Sequence, residues 1–314
     1  MSQFALEVDN LVKVYEKRSQ PAIRAVDGLS FRVPRGVIFG LLGPNGAGKT
    51  TTLKILSTLS RPTGGAARVM GGDVVEHPLA ARRQISVVLQ ETAVELFLSV
   101  RENLLSYARF HGLDGPTASR RTDEILGRFG LTAEAGRKAQ DLSGGFRRRV
   151  QVAKVFLVRT PVLFLDEFST GMDPILKRSV MEMLREEARQ GRSIVLTTQV
   201  LSEAEELCDD ILIINRGRAV AQGDLNTLKL LSKGVCDVVL TFDKLPEGVE
   251  AELRAMSPRR LSVSQNTVEM TLKAPEPEVL ALVTRLASRG HVLRVELSGA
   301  SLEDIFVELT RKEA

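Results

Sequence analysis

The sequence is poor in the residues that build disulfide or metal clusters, and it contains no long apolar run. Its 314 residues include two cysteines, Cys208 and Cys236, and three scattered histidines. Two cysteines are too few for a disulfide framework or a metal cluster, so a reducing compartment is expected. No apolar run approaches the ~20 residues that a membrane-spanning helix needs, and the start, MSQFALEVDN, does not resemble a signal peptide. Any role at a membrane is therefore expected to be performed from outside the bilayer.

The excess of basic residues is also small. The net charge is +4, with 26% charged and 43% hydrophobic residues. This balance is ordinary for a globular protein and is too slight to indicate nucleic-acid binding by itself. The chain is longer than one average domain, so we expect one large domain and one smaller domain.

The apolar pattern changes near residue 232. Before it, near-continuous apolar strands alternate with helical patterns, which indicates a parallel sheet covered on both faces. Residues 4–42 are strand-like, and a helical insertion is expected over about 91–158. After residue 232 short alternating strands, polar turns and two helices follow. The sequence thus predicts a nucleotide-binding domain over 1–232 and a separate small α+β domain over 233–314.

A glycine loop between a predicted strand and a predicted helix has a phosphate-binding pattern. Residues Gly43 to Thr50, GPNGAGKT, match G-x-x-x-x-G-K-[ST]. In this pattern the glycines let backbone N–H groups surround phosphates, Lys49 reaches the β- and γ-oxygens, and the Thr50 hydroxyl holds Mg²⁺. The match predicts a bound nucleotide with Mg²⁺.

A second motif places two acids at the end of an apolar strand, VLFLDE. Asp166 suits a role near Mg²⁺, and Glu167 suits orienting or deprotonating an attacking water. Paired acids at a strand end are often only solvated. A functional role is favoured for this pair, because it follows the glycine loop at a distance, after the helical insertion.

A third motif, LSGG at Leu142–Gly145, precedes a basic, apolar-periodic run. Helix starts present N–H groups and a positive dipole end to anions. One nucleotide held by the glycine loop hardly needs a second anion site, which raises the question of whose phosphate this one holds. The run Arg147-Arg148-Arg149 is expected to be the solvated face of the helix.

In their order these motifs resemble the ATP-binding subunits of ABC transporters over about residues 4–230. The resemblance rests on Gly43–Thr51, Gln90, Leu142–Gly145, Val162–Glu167, Ser169–Pro174 and Thr197–Gln199. It implies an α/β fold, namely a P-loop NTPase of ABC ATPase type with a mixed sheet, an antiparallel β subdomain and an inserted helical subdomain. It also implies hydrolysis of ATP with Mg²⁺ in the cytoplasm, peripheral to the inner face of the cell membrane.

The resemblance implies roles residue by residue. The catalytic residues would be Glu167, Gln199 and Lys49, and the metal ligands Thr50, Gln90 and Asp166. Asp173 would communicate across a dimer. Tyr15 would stack on adenine. The other nucleotide-binding residues would be Gly43, Pro44, Asn45, Gly46, Ala47, Gly48, Lys49, Thr50, Thr51, Ser143, Gly144 and Gly145.

Three residues depart from the family pattern. Phe146 replaces the usual glutamine and cannot supply its hydrogen bonds, whereas Phe168 replaces a frequent proline and is expected to change packing only. Gln199 stands where a histidine usually senses the γ-phosphate. Its amide can donate to a phosphate oxygen but cannot become cationic near neutral pH.

Thr197-Thr198-Gln199 and the closing SLEDIFVEL resemble the daunorubicin/doxorubicin-resistance branch, which works with a separate permease of ABC-2 type. This resemblance implies export of drugs, lipids or secondary metabolites. It also implies a head-to-tail homodimer that sandwiches ATP, and no nucleic-acid partner. Residues 91–100 are expected to contact the permease through Leu96, Phe97 and Leu98, with core packing as the alternative.

Two other functions fit the sequence less well. An ABC-type ATPase that acts on nucleic acid or ribosomes is expected to show a long coiled-coil insertion or tandem cassettes, and the sequence shows neither. A P-loop kinase would have no use for Leu142–Gly145.

Overall fold

Two units make up the chain in the computed structural model, Met1–Gln222 and Gly223–Ala314. The structure describes residues 2–17, 20–89, 93–231, 235–274, 276–299 and 301–311. The division falls earlier than residue 232, because the helix Leu225–Leu231 packs against the last helix of the second unit.

The first unit contains the strands and helices expected from its apolar pattern. Its strands are β1 (Phe4–Lys17), β2 (Gln20–Pro34), β3 (Ile38–Leu42), β4 (Gly64–Val69), β5 (Gly72–Asp73), β6 (Ile85–Val88), β7 (Val162–Asp166), β8 (Ser193–Thr197), β9 (Asp210–Asn215) and β10 (Arg218–Gly223). Its helices are α1 (Lys49–Leu56), α2 (Pro78–Arg83), α3 (Val100–Phe110), α4 (Gly115–Arg128), α5 (Gly144–Phe156), α6 (Pro174–Arg189) and α7 (Leu201–Leu207).

A six-stranded sheet with the order β10-β9-β3-β8-β7-β6 forms the centre of this unit. The pairs β9–β3, β3–β8, β8–β7 and β7–β6 are parallel. Successive residues of β7 enter two different apolar cores, Leu163 and Leu165 one core and Val162 and Phe164 the other. Both faces of the sheet are therefore buried, which explains why its strands are apolar without alternation.

Different layers cover the two faces of the central sheet. A four-stranded sheet, β2-β1-β4-β5, shares one core with it, where Phe31 stacks on Phe39 at a centroid distance of 5.6 Å. The inserted helices α3, α4 and α5 contribute to the other core. The predicted fold class, with its antiparallel β subdomain and inserted helical subdomain, is confirmed.

Side-chain caps explain where several of these helices begin. Ser99 and Glu102 form a capping box at α3, and Asp114 and Asp173 accept backbone N–H groups at the starts of α4 and α6. Such caps satisfy N–H groups that the helix itself leaves without partners. Helix α1, which follows the glycine loop, has no side-chain cap among the described residues.

The second unit is a small α+β fold. It comprises α8 (Leu225–Leu231), β11 (Val235–Phe242), α9 (Val249–Ala255), β12 (Arg260–Ser264), β13 (Thr267–Lys273), α10 (Glu276–Ala287), β14 (Val292–Gly299) and α11 (Leu302–Arg311). The strand order is β12-β13-β11-β14, and residues of α9 and α10 complete an apolar core on one face of this sheet. Leu302 and Ile305 of α11 are buried, in agreement with the helical spacing of the closing segment.

Within the described part of the chain, the helices are too short or too polar to span a bilayer.

Candidate functional site

Three neighbouring parallel strands bring the predicted motifs to one edge of the central sheet. The glycine loop follows β3, Asp166 ends β7 and Thr197 ends β8. Since β3, β8 and β7 are adjacent and parallel, their carboxyl ends lie side by side. Ligands of such sheets bind outside these ends.

A cleft of about 510 Å³ opens at this edge. Its lining includes most of the predicted nucleotide-binding and catalytic residues, and it consists of Tyr15, Ile23, Arg24, Ala25, Asn45, Gly46, Ala47, Gly48, Lys49, Thr50, Thr51, Glu167 and Gln199. Gly43 and Pro44 stand behind the cleft, where their carbonyls contact Lys49. The predicted residues Ser143, Gly144 and Gly145 are not in this lining.

The glycine loop leaves room for phosphate. Gly46 has φ +81°, and a Cβ built on it meets nothing within 4 Å. Gly48 has φ +105°, and a Cβ there would lie 2.4 Å from the Ala25 carbonyl oxygen, so this position requires glycine. The uncapped start of α1 follows directly. Backbone N–H groups at such a helix start bind anions.

Lys49 is buried at the floor of the cleft. Its Nζ donates to the carbonyl oxygens of Gly43 at 2.7 Å and Pro44 at 3.0 Å. Burial lowers the pKa of Lys49 below its usual range, whereas the charges of Glu167 and Asp166 act in the opposite direction. An incoming phosphate adds negative charge beside this amine and therefore favours its protonated form.

Hydroxyl and carboxylate oxygens meet beside Lys49. The Thr50 hydroxyl donates to Asp166 Oδ2 at 3.0 Å, and the Thr197 hydroxyl donates to Asp166 Oδ1 at 2.5 Å. Hydroxyl and carboxylate oxygens are suitable ligands for Mg²⁺, which binds proteins through one or two carboxylates and otherwise through water and substrate phosphates. Thr50 and Asp166 therefore fit the metal. The third predicted ligand, Gln90, lies outside the described residues.

Glu167 and Gln199 both line the cleft and contact each other directly. Gln199 Nε2 donates to Glu167 Oε1 at 2.5 Å, so the glutamine amide orients the carboxylate. The backbone of Glu167 is left-handed, with φ +50°, and its N–H donates to the Thr197 carbonyl at 3.0 Å. The structure thus holds the Glu167 carboxylate just beyond the end of β7, in the lining of the cleft.

Arg148 is a residue whose role the sequence interpretation missed. It was expected on a solvated helix face, but only 5% of it is exposed. Its guanidinium donates to the carbonyl oxygens of Asp166 at 2.6 Å, Glu167 at 2.7 Å and Leu89 at 2.6 Å. The expectation was wrong because Arg148 lies on the face of α5 that packs against the sheet. There the five N–H donors of its guanidinium can bind several carbonyl oxygens at once.

Glu203 is a second residue whose role the sequence interpretation missed. Its side chain is buried, and its Oε2 accepts from the hydroxyls of Ser169 at 2.8 Å and Thr198 at 2.9 Å. Lys177 Nζ lies 3.2 Å from the other carboxylate oxygen. Glu203 therefore joins the Ser169–Asp173 loop to the end of β8. The sequence feature that could have indicated this role is an acidic residue soon after Thr197-Thr198-Gln199.

The Leu142–Gly145 motif lies elsewhere on the first unit. Ser143 is exposed and caps α5, its hydroxyl oxygen accepting from the Phe146 N–H at 3.4 Å. The hydroxyl proton remains available for an acceptor oxygen. A Cβ on Gly145 would lie 2.8 Å from the Gly171 carbonyl oxygen, so glycine is needed for the approach of this loop.

Tyr15 stands at the rim of the cleft. It is exposed, and Lys13 Nζ lies 4.9 Å from the centroid of its ring. An exposed ring at the mouth of a phosphate site can stack on a planar base.

Comparison with known proteins agrees with this geometry. The family model for ABC transporters matches residues 26–170. The daunorubicin/doxorubicin resistance ATP-binding protein DrrA of Streptomyces peucetius is 37% identical over 98% of this chain and 92% of its own length. The Nod factor export ATP-binding protein I of Ralstonia nicotianae is 37% identical over 98% and 94% of the two chains.

A solved structure shares the fold of the first unit. It is a dimeric ATP-binding cassette in a post-hydrolysis state with ADP and phosphate, 23% identical, with a TM-score of 0.65 over 70% of this chain and 98% of that one. Since full-length relatives exceed 30% identity, the chain belongs to the ABC transporter family of ATP-binding proteins and is an ATPase.

Proposed function

We propose that this ATPase powers a separate membrane permease of ABC-2 type that exports amphipathic compounds such as drugs, lipids or secondary metabolites. The observation that carries the ATPase part is the meeting of Lys49, Thr50, Asp166, Glu167 and Gln199 at one cleft. Export is supported by the relatives, which are named for drug resistance and for Nod factor export.

Each residue of the cleft has a distinct task in the proposed reaction. Lys49 and the N–H groups at the start of α1 bind the β- and γ-phosphates of ATP. Thr50 and Asp166 would hold Mg²⁺, which would neutralise negative charge on the phosphates. Glu167 accepts the proton of the attacking water, and Gln199 keeps that carboxylate oriented while its second amide hydrogen serves a γ-phosphate oxygen.

We infer that Ser143, Gly144 and Gly145 complete the cleft of a second copy. They are exposed or half-buried and are not in the lining of their own cleft, yet Ser143 begins a helix of 13 residues. In a head-to-tail dimer with two-fold symmetry, each Ser143 closes on the γ-phosphate that the partner holds. ATP joins the two subunits, and hydrolysis removes the shared phosphate, which separates them.

A mixed dimer of Lys49→Ala chains and Ser143→Arg chains tests this arrangement. If sites are shared, both lesions fall in one site and the other is intact, so one tightly held ATP per dimer is expected. If each chain serves its own nucleotide, every site carries a lesion. Occupancy is the readout, because coupling between sites can silence hydrolysis at an intact one. Retention no higher than that of the two parent variants contradicts sharing.

The segment around Phe97 is the proposed permease contact, at the inner face of the membrane. Phe97 is 79% exposed and Leu96 is exposed, whereas Leu98 is half-buried, so core packing does not account for the first two. The segment is nevertheless firmly held, since buried Asn103 donates to the Glu95 carbonyl at 2.9 Å and accepts from the Glu95 N–H. A rigid segment with an exposed aromatic suits a protein contact.

Stimulation of ATP hydrolysis distinguishes this function from action on nucleic acid or ribosomes. The purified full chain is mixed in turn with detergent-solubilised permease from the same cells, with double-stranded DNA and with ribosomes. We expect the permease alone to raise turnover, with Lys49→Ala as the inactive control. Stimulation by DNA or ribosomes and none by the permease would favour the alternative.

A further inference from the structure

Strand β14 at one edge of the second sheet is uncovered on both faces. It pairs with β11 on one side, and no described strand lies on the other. Every residue from Leu293 to Gly299 is exposed. Val295 and Leu297 are 46% and 41% exposed and share one face, because alternate residues share one face of a strand, whereas Leu293, 60% exposed, lies at a register shift of the pairing with β11.

This edge carries few of the devices that usually protect an edge strand. Proteins block such edges with proline, charged side chains, bulges or very short strands. β14 has eight residues and contains neither proline nor lysine; its pairing with β11 shifts register near its start, at Leu293, and its two charges, Arg294 and Glu296, have opposite signs. The opposite edge strand, β12, has five residues and carries Ser262 and Ser264. The two edges differ in length and in polarity, and β14 exposes the apolar side chains of Val295 and Leu297.

The sequence of β14 is complementary to itself when two copies run antiparallel. In LRVEL, Leu293 to Leu297, the central Val295 has a leucine two residues away on either side, and the flanking residues are Arg294 and Glu296. An antiparallel pair centred on Val295 places Val295 against Val295. It also places each Arg294 directly opposite the Glu296 of the other copy, where opposite charges stabilise a strand pair and like charges destabilise it.

We propose that a second copy of this chain docks on β14, so that the two four-stranded sheets join through paired β14 strands across a two-fold axis. Such pairing is isologous, as expected for a closed dimer. In the single chain Arg294 Nε donates to Glu296 Oε1 at 2.9 Å; on pairing, each of the two chains gives up this bond, and two reciprocal Arg294–Glu296 bonds between the copies replace them. The proposal is independent of how nucleotide joins the first units.

The contact is small beside the roughly 1,200 Å² that specific stable interfaces bury. It therefore forms a weak dimer by itself. Its effect is to keep the first units of the two copies close together when no nucleotide joins them. The paired β14 strands act as a tether, so re-association of the first units becomes an intramolecular step.

Cysteine crosslinking without nucleotide tests the register in the purified full chain. The Val295→Cys chain is expected to form a disulfide-linked dimer, because directly opposed Cβ atoms lie about 5 Å apart. Leu297→Cys alone is not, since its twin lies four residues away, about 13 Å along the strand. A mixture of Arg294→Cys and Glu296→Cys chains should again crosslink, because these two positions lie directly opposite one another. The unaltered chain is the control for native cysteines; burial raises the pKa of the Cys208 thiol and slows its reaction.

The outcomes separate the possible occupants of this edge. Crosslinking at Val295 and in the mixture, but not at Leu297 alone, supports pairing of two copies. Equal yields at all positions indicate random collision and overturn it. Absence of dimer from purified chain, with a product to a different protein in intact cells, assigns the edge to another partner and likewise overturns it.

Charge exchange gives a second, independent measurement. Arg294→Glu and Glu296→Arg each place like charges opposite one another, so sedimentation without nucleotide should show a several-fold weaker dimer for either variant. An equimolar mixture of the two variants, and the double variant, restore opposite charges and should restore association. These side chains are exposed, so folding is expected to be unchanged, and circular dichroism checks this. Equal dimer formation by all four samples would falsify the strand pairing.

Discussion

At the scale of single residues, the backbone of Glu167 is held in an unfavourable conformation. A left-handed backbone in a non-glycine residue costs about 1–2 kcal/mol. Glu167 has φ +50°, and three hydrogen bonds oppose this cost: its N–H to the Thr197 carbonyl, its carbonyl to Arg148 and its carboxylate to Gln199. These contacts preorganise the carboxylate before ATP binds.

Changing Glu167 to Gln should separate binding from turnover. The amide preserves size and can keep a hydrogen bond to Gln199, but it cannot accept the water proton, so turnover should fall roughly a hundredfold or more. ATP affinity should stay close to that of the unaltered chain, and the variant should accumulate as an ATP-bound dimer. Single-turnover hydrolysis and equilibrium binding measure the two quantities. Hydrolysis near the normal rate removes Glu167 from the role of base.

Arg148 is a positioning residue, since it contacts the backbone of Asp166 and Glu167. Arg148→Met should lower kcat about tenfold while KM for ATP changes little, because the cleft side chains remain but the Glu167 carbonyl loses the shorter of its two hydrogen bonds and keeps the one from the Thr170 N–H. Stability should fall by about 3 kcal/mol, since several buried carbonyls lose a strong hydrogen bond. Arg148→Lys is the matched control, because it keeps the positive charge but lacks the planar guanidinium with its several N–H donors. Relative to Arg148→Met, it should restore stability more fully than turnover.

The measurement is steady-state kinetics well below the melting temperature of each variant. A purely structural role for Arg148 predicts that kcat per folded molecule is unchanged. Equal kcat in Met, Lys and unaltered chains would therefore contradict positioning.

At the scale of elements, α5 connects three parts of the first unit. Arg148, Gln151 and Lys154 follow one another at three-residue intervals on its buried face. Arg148 and Gln151 donate to the Leu89 carbonyl, and Lys154 Nζ donates to the Ala93 carbonyl at 3.0 Å. The same helix begins at Ser143. One rigid element therefore links the proposed partner-phosphate contact, the acids of β7 and the chain that leads to Phe97.

Phe97 and Phe110 allow a matched test of the permease contact. Both are strongly exposed, 79% and 90%, but Phe110 ends α3, about 15 Å along the helix axis from its first residue. Phe97→Cys should crosslink to cysteines in cytoplasmic loops of the permease, and Phe110→Cys should give little product. Equal yields from both positions, or none from Phe97 in a full scan of the loops, count against the proposed contact.

At the scale of the whole molecule, the residues that line the cleft all belong to the first unit. A chain ending at Gly223 keeps β10 and the 2.8 Å bond from Gln222 to Asp210. It should bind ATP within a few fold of the full chain, as measured by equilibrium titration, and circular dichroism confirms that it is folded. It should also lose any dimer formed without nucleotide, since β14 is removed. Loss of ATP binding by the folded, shortened chain would show that the second unit completes the site.

The sequence by itself determined the local parts of this protein. A glycine loop with positive φ, apolar strands and helix starts are decided by neighbouring residues, so the phosphate loop, the strand ending at Asp166 and the fold class were all predictable. Tertiary structure alone decided which polar side chains are buried. Arg148 and Glu203 resemble surface residues in sequence, because their acceptors and donors, at Leu89, Asp166 and Ser169, are distant along the chain. The exposure of β14 depends likewise on which strand takes the edge, a long-range outcome of packing that an alternating pattern does not encode.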